Sequence, residues 1–198
     1  MTMPQGRSAV RTLVAALVVA CAAGGVGLRG QAGQAQAPAR RPARQPDIYY
    51  VPTRHAIARA ILDLARVTKD DVVYDLGSGD GRIVILAAQR YGARGVGIEL
   101  DPHLVEASRQ IAAEGEVADL TTFVEGDIFT ADISPATVVV LYLSPSVNRA
   151  LEPKLRRELR PGTRVVSHRF LIGRWRPEAT VRTDDETDLY LWTIPPRE

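Results

Sequence analysis

The chain has 198 residues, 45% of them hydrophobic and 24% charged, with 25 Lys and Arg against 23 Asp and Glu. That is ordinary globular material with room for one domain and an extension. The net charge of +2 is unevenly placed: residues 1–47 hold six arginines and one acid, which leaves 19 basic against 22 acidic residues in 48–198. The part with folding composition is therefore mildly acidic and lacks the basic footprint of a nucleic-acid-binding surface.

At the start of the chain, Arg7 and Arg11 precede the apolar run Thr12–Ala20 and then small residues, the form of an export leader. Ala35-Gln36-Ala37 offers a cleavage site, with Pro38 unfavourably placed behind it. Leu17-Val18-Val19-Ala20-Cys21 resembles a bacterial lipoprotein box, and Cys21 is the one cysteine of the chain. Residues 1–28 thus read as a signal peptide, a lipoprotein signal or an uncut membrane anchor, with a cytoplasmic tail as the bland alternative. Residues 29–47, rich in Ala, Gln, Pro and Arg, have almost no large apolar side chains and are expected to be a disordered linker.

Order is expected over 48–198. Thr53 is placed as an N-cap, and Ile57, Ile61 and Leu64 at i, i+4 and i+7 predict an amphipathic helix to about Val67. The β-branched run Val72-Val73-Tyr74-Asp75-Leu76 then enters the turn Gly77-Ser78-Gly79-Asp80-Gly81 and a helical pattern from Arg82. The spacing is G-x-G-x-G; a dinucleotide fingerprint would place its third glycine at position 82, which is Arg82. Asp75 and Asp80 bracket the loop, where they would repel a pyrophosphate. They suit the ammonium and sulfonium of S-adenosylmethionine, so spacing and charge both favour that cofactor over NAD.

A second apolar run, Gly95–Leu100, carries Glu99 near its end, placed to accept from both ribose hydroxyls. Pro102–Ala113 is the next helix, with proline at the start where it is favoured. Phe123–Ile128 is a strand running into an acidic loop, with Asp127 placed to accept from an adenine amino group. The fourth strand, Thr137–Leu143, leads to Ser144-Pro145-Ser146, with Ser146 read as the cap of a helix bearing Val147, Leu151, Leu155 and Leu159. Thr163–Phe170 is the fifth strand. Ala179-Thr180-Val181 and the alternating Asp188–Pro195 supply the last two, the final one antiparallel. Trp175 and Trp192 read as core or rim packing, with a substrate-facing Trp175 as the alternative, and Asp184-Asp185-Glu186 as a solvated turn. Strands alternating with helices at this spacing predict an α/β fold with a mostly parallel sheet.

The segments "DLGSGDG", "GIELD" and "EGDI" resemble the first three cofactor motifs of the class I (seven-strand) S-adenosylmethionine-dependent methyltransferases, in the family's order. The resemblance implies a Rossmann-like, doubly wound sheet of seven strands. It assigns cofactor binding to Asp75, Gly77, Ser78, Gly79, Asp80, Gly81, Glu99, Asp127 and Ile128, and calls for no metal. "YVPT", before the first helix, resembles the lead-in of a lysine-methyltransferase-like branch, which implies that Tyr50 and Thr53 close over the methionyl end of the cofactor.

The stretch from Leu141 to Phe170 resembles bacterial relatives of the mitochondrial lysine methyltransferases that act on an ATP-synthase subunit. It is more distantly similar to the seven-strand histone lysine methyltransferases. The implied substrate is a protein lysine, with Tyr142 and Ser144 aligning the amine. Leu143-Ser144-Pro145-Ser146 departs from the Asn/Asp-Pro-Pro-aromatic box of enzymes that methylate the amino groups of bases. A small-molecule methyltransferase and an exported, non-catalytic module of the same fold are the competing readings. Nucleic acid is not an expected partner, and a membrane is expected only through the leader. That leader conflicts with a cytoplasmic cofactor unless the domain faces the cytoplasm. The oligomeric state is left open.

Overall fold

Alternating apolar strands and helices with one apolar stripe bury themselves best as a sheet covered on both faces. The computed structural model, described over residues 51–197, realises that solution. In chain order the elements are α1 (His55–Leu64), β1 (Val72–Leu76), α2 (Arg82–Tyr91), β2 (Arg94–Glu99) and α3 (Pro102–Glu114). A 3-10 turn (Ala118–Leu120), β3 (Thr121–Glu125), β4 (Val138–Leu141), α4 (Pro145–Glu158), β5 (Arg164–His168), β6 (Ala179–Arg182) and β7 (Asp188–Thr193) follow. The leader, the linker and Tyr50 lie outside the described residues. Among the described residues, no helix is long and apolar enough to cross a membrane.

The seven strands run in the order β3-β2-β1-β4-β5-β7-β6. The first five are parallel, with Val73 opposite Gly95 on one side and Val138 on the other. β7 inserts antiparallel beside β5, with Trp192 opposite Val165, and β6 closes the edge antiparallel to it. Strand order therefore reverses between β1 and β4, and a crevice opens there at the carboxyl ends of the strands.

The period-2 alternation of the strands divides the core. Val138 and Val140 pack with Ile57, Ile61 and Leu62 of α1 and with Ile83 and Ala87 of α2. Val139 and Leu141 face the other way, onto Val147, Leu151 and Leu155 of α4. A third cluster joins Val84 and Ile85 of α2 to Val105 of α3 and Phe123 of β3. Trp175 and Trp192 belong to packing: the Trp192 Nε1–H donates to the Trp175 carbonyl at 3.0 Å, and the Arg156 guanidinium lies 4.1 Å above the Trp175 ring.

Two helix starts differ from the sequence reading. α1 begins at His55, because the Arg54 carbonyl takes the first helical bond, from Ala58 N–H at 2.9 Å. Thr53 is therefore not the cap but a buried residue ahead of it. The helix also stops at Leu64 rather than near Val67, since Arg66 adopts φ 50°. In α4 the cap is Ser144 and not Ser146: its Oγ accepts from Val147 N–H at 3.3 Å, and Pro145 takes the first helical position.

At the amino end of the sheet a buried carboxylate ties four segments together. Asp71 accepts from Thr68 N–H at 2.8 Å, from Thr137 Oγ at 2.6 Å and from the Arg164 guanidinium. Burial alone would raise this acid; the bonds from Thr137 and Thr68 and the Arg164 charge outweigh it and hold the carboxyl below the ordinary carboxylate range. The stabilisation is thus complete above the unfolded value near 3.8 and is lost as pH falls through the lower folded value. Asp71→Asn is expected to remove about 1.5–3 kcal/mol at pH 7, the range for hydrogen bonds to a charged group. Urea unfolding of both proteins at pH 7 and pH 3 checks this, with the difference shrinking in acid.

Candidate active site

The glycine loop between β1 and α2 is the floor of the crevice. Its three glycines all have positive φ: 82° at Gly77, 55° at Gly79 and 75° at Gly81. At Gly81 a Cβ would also meet the Phe123 ring at 2.5 Å, so position 81 needs glycine for space as well as for conformation. The loop is stitched to β2, with Gly77 and Ser78 N–H both donating to the Ile98 carbonyl at 2.8 and 3.1 Å. Gly79 N–H donates to Glu99 Oε2 at 2.9 Å, and Gly81 N–H to the Ser78 carbonyl at 2.9 Å.

These bonds decide what the loop can hold. A phosphate-cradling loop points its amides at the anion. Here the amides of Gly77, Ser78, Gly79 and Gly81 are engaged within the protein, which leaves a loop that presents carboxylates instead.

Above it lies a cleft of about 530 Å³, within the usual range for small-molecule sites. Asp75, Gly77, Ser78, Asp80, Glu99, Asp127, Ile128, Thr53 and Tyr142, all named from the sequence, line it. The lining has the chemistry to suit a nucleoside with a cationic tail. Glu99 is fixed by three backbone amides: Gly79 on one oxygen, and Leu100 and Asp101 on the other at 2.7 and 3.1 Å. Its remaining lone-pair capacity is aimed by that clamp. Asp127 accepts from Phe129 N–H at 2.9 Å, and Ile98, Leu100, Leu104, Ile128 and Phe129 give this end of the cleft apolar walls.

At the other end, Asp75 is buried, and desolvation, then the charges of Glu99 and Asp80, push its carboxyl well above the ordinary range. A positive charge placed beside it would favour its ionised form. The Ser78 hydroxyl is also buried with no hydrogen-bond partner among the described residues.

Two of the residues named from the sequence also carry bonds within the protein. Asp80 is gripped by Arg82, whose Nε donates to it at 2.8 Å, so its charge is shared rather than offered whole to a ligand. Arg82 also donates to the Thr53 carbonyl at 2.7 Å, which draws the segment before α1 onto the glycine loop and puts Val51 and Thr53 on the cleft wall. Ser144 is not on that wall: its hydroxyl caps α4 and lies 2.9 Å from the Ser146 hydroxyl. Leu104 and Phe129 escape the motif reading, although each stands within a few residues of a motif acid. His55 and His103 are exposed, and Asp185 of the expected solvated turn pairs with Arg54 at 3.3 Å.

A mostly parallel seven-strand sheet with its last strands antiparallel, and an acidic nucleoside cleft at its switch point, define an S-adenosylmethionine-dependent methyltransferase. Comparison with known proteins narrows the class. The family model described as the ANTKMT methyltransferase domain matches residues 75–179, and the chain belongs to that family. It is 44% identical over 154 residues to a protein-lysine N-methyltransferase of Saccharolobus islandicus (strain REY15A), covering 75% of this chain and 95% of that one. It is 40% identical over 142 residues to the adenine nucleotide translocase lysine N-methyltransferase of Mus musculus; the match covers 70% of this chain but only 61% of that relative, so the chain spans less than two thirds of its length. A solved structure described as an RNA methyltransferase from Salinibacter ruber in complex with S-adenosyl-L-homocysteine is 57% identical, with a TM-score of 0.73, over 75% of this chain and 96% of that one.

Proposed function

We propose that the protein transfers a methyl group from S-adenosylmethionine to the side-chain nitrogen of a lysine in a protein substrate. This reading is favoured over RNA by the overall charge of the domain, whose 19 basic and 22 acidic residues in 48–198 leave no net basic excess. The lysine activity named for the Saccharolobus relative supports it. So does Leu143-Ser144-Pro145-Ser146 in place of the box that grips base amino groups. The description of the Salinibacter structure is what favours the RNA alternative.

The cofactor supplies a methyl carbon on a sulfonium; the amine lone pair forms the new N–C bond, and the C–S pair returns to sulfur. A lysine with an ordinary pKa of about 10.4 must lose a proton first, and water can take it. The chain's part is to hold the methionyl charge at Asp75, to clamp the ribose acceptor Glu99, and to shape the acceptor end of the cleft with Tyr142 and Leu143. The leader belongs to the same proposal. An anchor that leaves the catalytic domain facing the cytoplasm keeps it with its methyl donor, and Arg29, Arg40, Arg41 and Arg44 favour that orientation.

The test is transfer of radiolabelled methyl from S-adenosylmethionine by the full chain into two extracts, total protein and total RNA, followed by hydrolysis. Methyllysine from the protein extract is the expected product. Label confined to nucleotides would replace this reading with the RNA one.

A further inference from the structure

Beside the cleft is a histidine that neither the motifs nor the family match assigns. His168 ends β5, on the sheet face that Tyr142 shares just beyond β4, and the two rings lie 4.0 Å apart at a 41° tilt. Tyr142 lines the cleft; His168 touches its ring without being part of that lining, and has 6% of its surface exposed. The His168 Nδ1 is buried and has no hydrogen-bond partner among the described residues. A buried polar atom without a partner calls for an explanation. A hydrocarbon ring would fill the same place and strand nothing.

The charged groups that act on His168 are Asp185, which favours its cation, and Arg169, which opposes it. Asp185 is itself occupied, accepting from Thr183 Oγ at 2.5 Å and pairing with Arg54. Desolvation, helped by Arg169, outweighs Asp185 and lowers the imidazole to about 4. At working pH the ring is neutral, with one nitrogen free to accept.

Resting on the lysine reading above, we propose that His168 Nδ1 is the hydrogen-bond acceptor that aligns the substrate amine, with the Tyr142 ring as the cover that the incoming side chain moves aside. The chemistry favours this acceptor over a carboxylate. A carboxylate beside the amine would stabilise the ammonium and keep its lone pair protonated. A neutral nitrogen takes an N–H from the free amine without that penalty and leaves the lone pair for the methyl carbon. No proton ends on His168. It passes from the ammonium to water before transfer, and the methylated product sheds its next proton the same way.

Two substitutions read this directly in the full chain. His168→Phe keeps a ring under Tyr142 and removes the acceptor; His168→Asn puts an amide oxygen near the place of Nδ1. The Phe variant is expected to lose tenfold or more in kcat for lysine methylation, with S-adenosylmethionine affinity by calorimetry within twofold of wild type. The Asn variant is expected to stay within about threefold in kcat. Wild-type kcat in the Phe variant overturns the proposal, as does a tenfold loss of cofactor affinity, which would make His168 a support of the whole cleft. If the Phe variant does not fold, near wild-type turnover by Asn supports the proposal and a tenfold loss overturns it. Failure of the lysine reading itself shows separately, as absence of methyllysine from the wild-type reaction, and the proposal falls with it.

Discussion

Glu99→Ala is expected to weaken S-adenosylmethionine binding by about a hundredfold while leaving the protein folded. Two ribose hydroxyls donating to one carboxylate are worth about 1.5 kcal/mol each, and 1.4 kcal/mol is a factor of ten. The residue sits at the end of β2 and is half-buried, so little of the core depends on it. The substitution does release the amides of Gly79, Leu100 and Asp101, which water can reach once the side chain is gone.

Glu99→Gln is the sharper companion. Both carboxylate oxygens accept from backbone N–H groups, so either orientation of a Gln amide sets its NH2 against an N–H donor. The near-isosteric change should therefore weaken binding almost as much as Ala. Calorimetric titration of the cofactor into each full-length variant measures both, and binding by Glu99→Gln equal to wild type would show that the clamp does not set the carboxylate.

Cofactor affinity is expected to rise with pH, by up to tenfold per unit, until the raised pKa of Asp75 is passed. In the cofactor-free protein this carboxyl is buried, and desolvation with the charges of Glu99 and Asp80 keeps it protonated well above the usual range. A ligand that brings an ammonium and a sulfonium favours the ionised form, so binding expels the proton, and one pKa unit corresponds to 1.36 kcal/mol. Stability of the cofactor-free protein has the opposite slope. Between the unfolded value near 3.8 and the raised folded value, the native state holds the extra proton, so stability falls as pH rises.

Asp75→Asn should flatten the affinity profile, bind the cofactor more weakly at pH 8, and melt higher than wild type without cofactor at neutral pH. Titration in buffers of different ionisation enthalpy counts the released proton without any turnover. A release near zero would mean that Asp75 keeps its proton in the complex.

Much of the fold and the cleft is legible in the sequence because it is written locally. The glycine loop announces itself by turn chemistry, and the strands by short β-branched runs; both depend on neighbours in sequence. The seven strands, their parallel and antiparallel halves, and the motif acids around one cleft follow from that. The two caps that differ are choices between near-equal local signals. Thr53 has the better capping side chain, but the Arg54 carbonyl closes the first turn. At the other cap, Ser144 and Ser146 flank the proline that decides between them.

What stays hidden is long-range. In the sequence Arg82 is only the place of a missing glycine. Its bond to Thr53 spans 29 positions, and no pattern in either segment announces it. His168 looks like one more strand residue, since its contact with Tyr142 exists only once β4 and β5 lie side by side.

Arg82 has one more effect, and it is thermodynamic. One guanidinium holds both Asp80 of the glycine loop and the carbonyl of Thr53, and so joins the cofactor's floor to the segment that enters α1. A substrate that shifts residues 51–54 on docking disturbs the bonds that set the loop. Linkage then makes the exchange symmetric: whatever factor the acceptor imposes on cofactor affinity, the cofactor imposes on the acceptor. A substrate that moves residues 51–54 would in that way be coupled to the cofactor through Arg82.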